Sequence, residues 1–336
     1  MKVSIYGIGN FGYAILKHLD KYSDEEIFAF DENKEKINYL KKYRKHPHFH
    51  KNFKISKKIN IVDDIEDLLI NSDILILALK SNFIREALRK SKPYLKNNKK
   101  IIILNVAKAL DYKTGKPLSL IVKQELKPLK NYKYAVISGG TIARDLFMHE
   151  PLGADLASRN KRTLKTLKQL LQSETLNIYT TKDCIGVEYA GAFKNVISIF
   201  AGIIQGLGYS YGSETHIISK AGEEAGKIIV KKFRAKKQTF FIGSQCWGND
   251  LWMSCTGKTR NKEFGKLIGE GKSVDEAKQI MKKQNKTVEG INTLLSLKKS
   301  LGSLKKYPYL ETVYEIVINN EDPKTKIKEL FIKHKV

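Results

Sequence analysis

Val3-Ser4-Ile5-Tyr6-Gly7-Ile8-Gly9-Asn10-Phe11-Gly12 is the stretch that decides the fold. Residues 3–6 make a short β-type run, and Tyr13-Ala14-Ile15-Leu16-Lys17-His18-Leu19 continues with the apolar spacing of a helix. Between them Gly7, Gly9 and Gly12 keep the G-x-G-x-x-G spacing. The first glycine permits a tight turn, the second lets backbone approach a pyrophosphate, and the third lets helix pack on strand, while the helix N-terminus offers N–H groups to phosphates. Such a string carries little weight alone. Following a strand and opening a helix at the start of a βαβ unit, it reads as a dinucleotide cradle.

Outward from the cradle, a second strand over residues 26–30 stops at Asp31, 19 residues beyond Gly12. A carboxylate there accepts hydrogen bonds from both ribose hydroxyls of NAD and repels a 2′-phosphate, so NAD is favoured. The plain alternative is a helix-capping aspartate, and Lys34 and Lys36 nearby leave room for NADP. Residues 74–79 and 100–105 are apolar runs of the kind buried on both faces of a parallel sheet. Residues 134–138 and 176–180 add two more strands. From about Asp183 the period becomes helical, with Val187, Ala190, Gly191, Lys194 and Ile197 at three- and four-residue steps. Helices are expected over 274–284 after a Ser273 cap and over 309–318 after Pro308. The expected architecture is α/β, an N-terminal Rossmann domain with a doubly wound, mostly parallel sheet over residues 1–183, followed by an all-α C-terminal domain over 184–336.

Composition agrees with two globular domains: 336 residues, 42% hydrophobic and 29% charged, which excludes collagen-like, low-complexity and largely disordered chains. Cys184, Cys246 and Cys255 show no CxxC pair and no disulfide-framework spacing, as expected of reduced thiols in a cytoplasm, and no metal site is expected. No secretory signal pattern opens the sequence, so the mature chain is expected to start at Met1. The longest apolar stretch, 195–207, is interrupted by Ser198 and Gln205 and is shorter than the roughly 20 residues of a membrane span. The balance of 61 Lys+Arg against 35 Asp+Glu gives a net charge of +26, a field that attracts anions. Residues 41–60 hold eight Lys or Arg, no acid, and His46, His48 and His50. This tract reads as a solvated basic loop rather than a metal tract or a specific nucleic-acid patch, since the lysine excess is spread along the whole chain.

Asp183-Cys184-Ile185-Gly186-Val187-Glu188-Tyr189-Ala190-Gly191-Ala192-Phe193-Lys194-Asn195-Val196-Ile197 resembles the most diagnostic segment of the NAD-dependent glycerol-3-phosphate dehydrogenases, Gly-Val-Glu followed by a Lys-Asn pair. The resemblance spans nearly the whole chain. It includes residues 7–12, Ser81-Asn82-Phe83-Ile84-Arg85, Ala107-Lys108-Ala109-Leu110 and Gly139-Gly140-Thr141-Ile142-Ala143. Downstream it continues through Asn249-Asp250-Leu251, Thr259-Arg260-Asn261-Lys262-Glu263-Phe264-Gly265 and Val288-Glu289-Gly290. Each piece is soft alone; in this order they are specific.

The resemblance implies reversible hydride transfer between NAD(H) and the C2 carbon of glycerol 3-phosphate or dihydroxyacetone phosphate, a supply of glycerophospholipid precursors, and a homodimer, as is frequent in the family. It implies Lys194 as proton acceptor and donor, Lys108 as a second active-site lysine and Asp250 as the carboxylate that orients them. Arg260 and Asn261 would grip the substrate phosphate with Thr259 as helper, and Asn195 would stand beside the base. Asn10, Phe11, Phe83, Thr141, Ala143, Arg260 and Glu289, with Lys108, would approach the cofactor. The chemistry suits these residue types: the C2 hydroxyl needs a base, and a planar guanidinium offers phosphate two parallel hydrogen bonds. Phe83 has an equally plain reading as a core phenylalanine. Three positions depart from the family pattern. Gly139-Gly140-Thr141 stands for the usual Gly-Pro-Ser, Ala107-Lys108-Ala109 for Thr-Lys-Gly, and Asn249 for the glycine before the aspartate. A lost glycine matters where the backbone needs positive φ. Two competing readings are a related two-domain dehydrogenase acting on another hydroxy acid or polyol, which the Arg260-Asn261 pair opposes, and a nucleotide-sensing or nucleic-acid-binding relative without catalysis, which the retained Lys194 and Asp250 oppose.

Overall fold

The structure, a computed structural model, describes residues 1–96, 100–129 and 132–333. The chain forms two compact units, Met1–Lys108 with Leu118–Val187, and Ala109–Pro117 with Glu188–Val336.

The first unit is built on one eight-stranded sheet: β1 (Lys2–Tyr6), β2 (Glu26–Phe30), β3 (Ile59–Ile61), β4 (Ile74–Leu77), β5 (Ile101–Asn105), β6 (Tyr132–Ser138), β7 (Leu152–Ala157) and β8 (Leu176–Thr181). The strands lie in the order β3-β2-β1-β4-β5-β6-β7-β8, and every neighbouring pair is parallel except β6 with β7. Its helices are α1 (Asn10–Tyr22), α2 (Lys34–Tyr43), α3 (Ile65–Leu69), α4 (Ser81–Leu95), α5 (Leu118–Glu125), α6 (Ala143–Phe147) and α7 (Lys161–Leu171). Alternate residues of one strand serve two cores, which is why these strands read as unbroken apolar runs. Ile74 and Ile76 of β4 join Val3 and Ile5 beneath α1 and α7, whereas Leu75 and Leu77 join Ile101 and Ile103 beneath α4 and α5. β1 lies between β2 and β4, so the glycine turn leaves the sheet at its topological switch point, where open α/β folds bind ligands.

Six of the strands sit where the apolar runs placed them. β3, three residues long and beginning inside the basic tract, was not anticipated, and neither was β7, with the sequence Leu-Gly-Ala-Asp-Leu-Ala, because Gly153, Ala154 and Asp155 have little intrinsic strand preference. It forms because both neighbours hydrogen-bond to it and because Gly139 lets the end of β6 approach: a Cβ at Gly139 would lie 2.4 Å from the Gly153 carbonyl oxygen.

After Thr181 the described residues contain no strand. The helices of this region are α8 (Cys184–Gly206), α9 (Tyr211–Phe233), α10 (Asp250–Thr256), α11 (Arg260–Gly269), α12 (Val274–Lys283), α13 (Glu289–Leu301), α14 (Pro308–Ile318) and α15 (Pro323–Lys333). The start signals hold: Ser273 and Glu276 form a reciprocal capping box on α12, and Pro308 occupies the first turn of α14. By length and composition α8 is apolar enough to cross a membrane, but its apolar window is wholly buried within the fold, as in a core helix. It is covered closely because α8 and α11 meet backbone to backbone. A Cβ at Gly202 would lie 2.0 Å from the Lys262 carbonyl oxygen, and one at Gly265 would lie 2.0 Å from that of Ile199. Lys262 and Glu214, both buried and 2.7 Å apart, tie α11 to α9 as well.

Gly265→Ala therefore forces α8 and α11 apart and is expected to cost about 1–3 kcal/mol or more through overpacking, read as a lowered urea midpoint. Gly243→Ala, where a Cβ meets nothing within 4 Å, should leave the midpoint unchanged. Equal midpoints for the two variants would contradict this packing.

Candidate active site

In the first unit the glycine turn has the geometry a dinucleotide needs. Gly7 has φ +102°, and a Cβ on it would strike the Ala78 carbonyl oxygen at 2.7 Å. A Cβ on Gly12 would come within 2.1 Å of the Gly7 carbonyl oxygen, whereas one on Gly9 would meet nothing within 4 Å. The strained and crowded positions are thus structural, and the open one is where a ligand can approach. No side chain caps α1 at Gly9, so the N–H groups of its first turn, beginning at Asn10 and Phe11, face outward for a pyrophosphate. The residues present fit the pyrophosphate of NAD(P).

Two groups from elsewhere hold the turn. The Ile8 N–H donates to Asp31 Oδ2 at 2.8 Å, and the Ile8 carbonyl accepts from His46 Nε2 at 2.9 Å. His46 Nδ1 accepts N–H bonds from His48 (3.0 Å) and Phe49 (3.1 Å). Those two donors leave Nδ1 without a proton, so Nε2 carries it and the ring is neutral. Burial pushes the His46 pKa down to about 4. His50 Nε2 lies 2.8 Å from Asn10 Oδ1 and its ring packs on Phe147 at 4.0 Å between centroids, while the Tyr13 hydroxyl donates to the Phe53 carbonyl. The tract over residues 41–60 is accordingly not a solvated loop throughout. His46, Ile55 and Ile59 are buried, and its middle is stitched to the glycine turn, α1 and α6 because two imidazoles and the Phe53 ring find partners there that a local reading cannot see, His46 on Tyr13 and both His50 and Phe53 on Phe147.

Lys108, beyond β5, donates from Nζ to the carbonyl of Gly139 beyond β6, and Thr141 N–H donates to that same carbonyl at 2.7 Å. Lys108 and Thr141 thus meet at one loop. Neither Ala107 nor Ala109 adopts positive φ, and Asn249 has φ −63°, so the lost glycines cost no backbone strain. Ala143 is buried at the start of α6, and Phe83 lies half exposed on the first turn of α4 rather than in the core.

In the second unit, α8 presents Lys194, Asn195 and Ser198 to residues of α10 and α11. Lys194 Nζ donates to Asp250 Oδ1 at 2.7 Å and to Ser254 Oγ at 2.8 Å. Asp250 is fully buried and Lys194 only 7% exposed. Asp250 and Ser254 are one helical turn apart, so α10 offers both acceptors from one face. Asp250 sits inside α10 with Asn249 as the capping position, so its side chain serves the lysine rather than the helix end. Ser198 Oγ and Thr259 Oγ1 both donate to the Ser254 carbonyl, at 2.6 and 2.7 Å. Asn261 Nδ2 donates to Asn195 Oδ1 at 3.0 Å, and its Oδ1 accepts the Gly290 N–H at 3.0 Å, which joins α11, α8 and α13. Lys194, Asn195, Asp250, Thr259 and Asn261 are therefore one connected cluster. Arg260 is exposed on the first turn of α11, and Glu289 is half-buried on the first turn of α13. Cys255 lies fully buried beside them with its thiol pKa pushed up by burial, an unreactive neighbour. Ser254 and Ser198 were missed by sequence reasoning; the four-residue step from Asp250 to Ser254 and from Lys194 to Ser198 was the available signal. Among the described residues no group of three or more His, Cys, Asp or Glu is placed to hold a metal.

Comparison with known proteins addresses the same regions. The family model for the NAD-dependent glycerol-3-phosphate dehydrogenase N-terminus matches residues 2–164, and that for its C-terminus matches residues 183–328. A Fusobacterium nucleatum protein named glycerol-3-phosphate dehydrogenase (NAD(P)+) is 33% identical over 341 residues, covering all of this chain and 98% of its own. This chain belongs to the NAD-dependent glycerol-3-phosphate dehydrogenase family. A Clostridium acetobutylicum member with the same name is 32% identical, covering 99% of this chain and 97% of its own. Among solved structures, a Plasmodium falciparum glycerol-3-phosphate dehydrogenase superposes with TM-score 0.89 at 20% identity over 100% of this chain and 96% of its own. One from Coxiella burnetii gives 0.86 at 24% over 98% of each. At such identities these two speak for the fold, and both matched family regions carry the clusters described above.

Acid titration tests the His46 clasp. Its folded pKa lies below the usual imidazole value, so the unfolded chain binds the extra proton first and stability is lost as pH falls from about 6.5 toward 4. A depression to about 4 corresponds to about 3 kcal/mol by the acid end. His46→Gln should be less stable than wild type at pH 7 and show a flatter urea midpoint between pH 7 and 4. Parallel profiles for the two proteins would contradict a neutral, buried ring.

Proposed function

We propose that this glycerol-3-phosphate dehydrogenase family member interconverts sn-glycerol 3-phosphate and dihydroxyacetone phosphate with NAD(P)(H), and that Lys194 moves the proton. The observation that carries the proton assignment is the buried Lys194–Asp250–Ser254 cluster: an amine on an apolar helix, held by two hydrogen bonds away from bulk water. When bound, NAD(P)(H) supplies or accepts the hydride. As the C2 ketone is reduced, the Lys194 ammonium donates a proton to the carbonyl oxygen; in the reverse direction the Lys194 amine takes the hydroxyl proton. Asp250 stabilises the ammonium and fixes its direction, and Ser254 takes a second N–H, leaving the remaining ammonium position for substrate oxygen. Removing one partner of such a pair strands a buried charge, so Asp250 and Lys194 act as a unit.

Arg260, with Asn261 and Thr259, holds the substrate phosphate, the guanidinium supplying paired charge-assisted bonds. Gly7, Gly9, Asn10, Phe11 and Gly12 hold the pyrophosphate and Asp31 the ribose. Phe83, Lys108, Thr141, Ala143, Arg260 and Glu289 complete the cofactor's surroundings, and Lys108 adds a cation toward the ketone oxygen. A cytoplasmic homodimer feeding glycerophospholipid precursors completes the proposal, and the net charge of +26 favours the encounter with a dianionic phosphate ester.

Dihydroxyacetone phosphate should drive oxidation of NADH, followed at 340 nm, by the purified protein. Lys194→Met should lower kcat by at least about 100-fold, the usual worth of a positioned acid or base, with NADH still bound. Turnover of related keto acids but not of this phosphate would overturn the substrate assignment, and a Lys194→Met protein with undiminished kcat would overturn the proton assignment.

A further inference from the structure

Asp31 ends β2 where a Rossmann cofactor's ribose is expected, and its carboxylate is already engaged. Oδ2 accepts the Ile8 N–H at 2.8 Å and takes Lys36 Nζ at 2.6 Å, while Oδ1 accepts the Asn33 N–H at 3.0 Å. The Lys36 and Asp31 side chains are only 17% and 13% exposed, so solvent screens the pair less than a surface contact. The neighbouring acid, Glu32, is turned to other partners: the Tyr6 hydroxyl donates to it, and Lys90 Nζ lies 3.0 Å away. Lys36 stands in the first turn of α2, and its backbone N–H is fixed by the Asn33 side chain at 2.8 Å, so the four-carbon stem is what can move.

This arrangement alters what a carboxylate at the end of β2 means. A lone aspartate repels the dianionic 2′-phosphate of NADP. Here the carboxylate is anchored by the glycine turn and cannot swing away, yet its charge is balanced by an ammonium that can turn. We propose that Lys36 sets nucleotide selectivity in this chain: it neutralises Asp31 when the ribose carries a free 2′-hydroxyl, and turns to bind the phosphate when the ribose carries one. Both nucleotides are then accepted, and the residue that admits the phosphorylated one is the lysine five positions past the aspartate. The inference rests on the dinucleotide reading of the preceding subsection and names the group that broadens it.

The test is equilibrium binding without substrate. NADH and NADPH are titrated into the full-length protein by nucleotide fluorescence, and the readout is the ratio of Kd for NADPH to Kd for NADH. A charge-assisted hydrogen bond contributes about 1.5–3 kcal/mol, so Lys36→Met should raise this ratio by at least about tenfold. Lys36→Arg, which keeps the charge, should leave it near the wild-type value, and Asp31→Asn should lower it. An unchanged ratio in Lys36→Met, or a wild-type protein that binds NADH and not NADPH, overturns the proposal. Binding of neither nucleotide would overturn the dinucleotide reading and this inference with it.

Discussion

An ammonium and a carboxylate taken out of water together are tolerable only while they hold each other, and the helical unit is arranged around that constraint. Lys194 and Asp250 meet at 2.7 Å with almost no solvent contact. Each would cost several kcal/mol if left alone there. Keeping them paired requires α8 and α10 to stay in register, which the Ser198 hydroxyl of α8 secures by donating to the Ser254 carbonyl of α10. It also requires α8 to remain buried along its length, which the glycine contacts with α11 secure. Charge and packing are therefore joined in this unit: the buried pair stays out of water only while α8, α10 and α11 hold together.

The first unit solves a different problem, holding a backbone turn open toward a ligand. Gly9 is left uncrowded while its neighbours are fixed from several sides: Gly7 against Ala78, Gly12 against Gly7, Ile8 between Asp31 and His46. Both Ile8 bonds come from outside the glycine motif, one from the end of β2 and one from the tract before β3. A cradle of this kind owes its shape to the motif and its rigidity to residues far away in sequence.

The parts legible in the sequence were those whose signal is local. Strands buried on both faces announce themselves as apolar runs, and the capping box at Ser273 or the proline at Pro308 announces a helix start. β7 gave no such signal, since Gly153 and Ala154 are strand residues only because β6 and β8 flank them. His46, between Lys45 and Pro47 in a basic tract, looked solvated; its burial depends on a carbonyl 38 residues away. The resemblance to a family brought Lys194, Asp250 and Asn261 forward together, but it gave no hint of Ser254 or Ser198, whose hydrogen bonds are of a kind that serines make throughout this chain. Asp31 was found by position, whereas its ion pair with Lys36 required the fold.

Chemical rescue addresses the central claim most directly, because it asks whether the missing function is an amine at one place. Small primary amines of graded size and basicity would be added to protein lacking the Lys194 side chain, and to protein carrying Asp250→Ala, with NADH and dihydroxyacetone phosphate present. The account predicts saturable restoration of turnover in the first protein, strongest for amines small enough to fill the vacated space, and none in the second. Stimulation of both proteins to the same extent, or of neither by any amine, would contradict it.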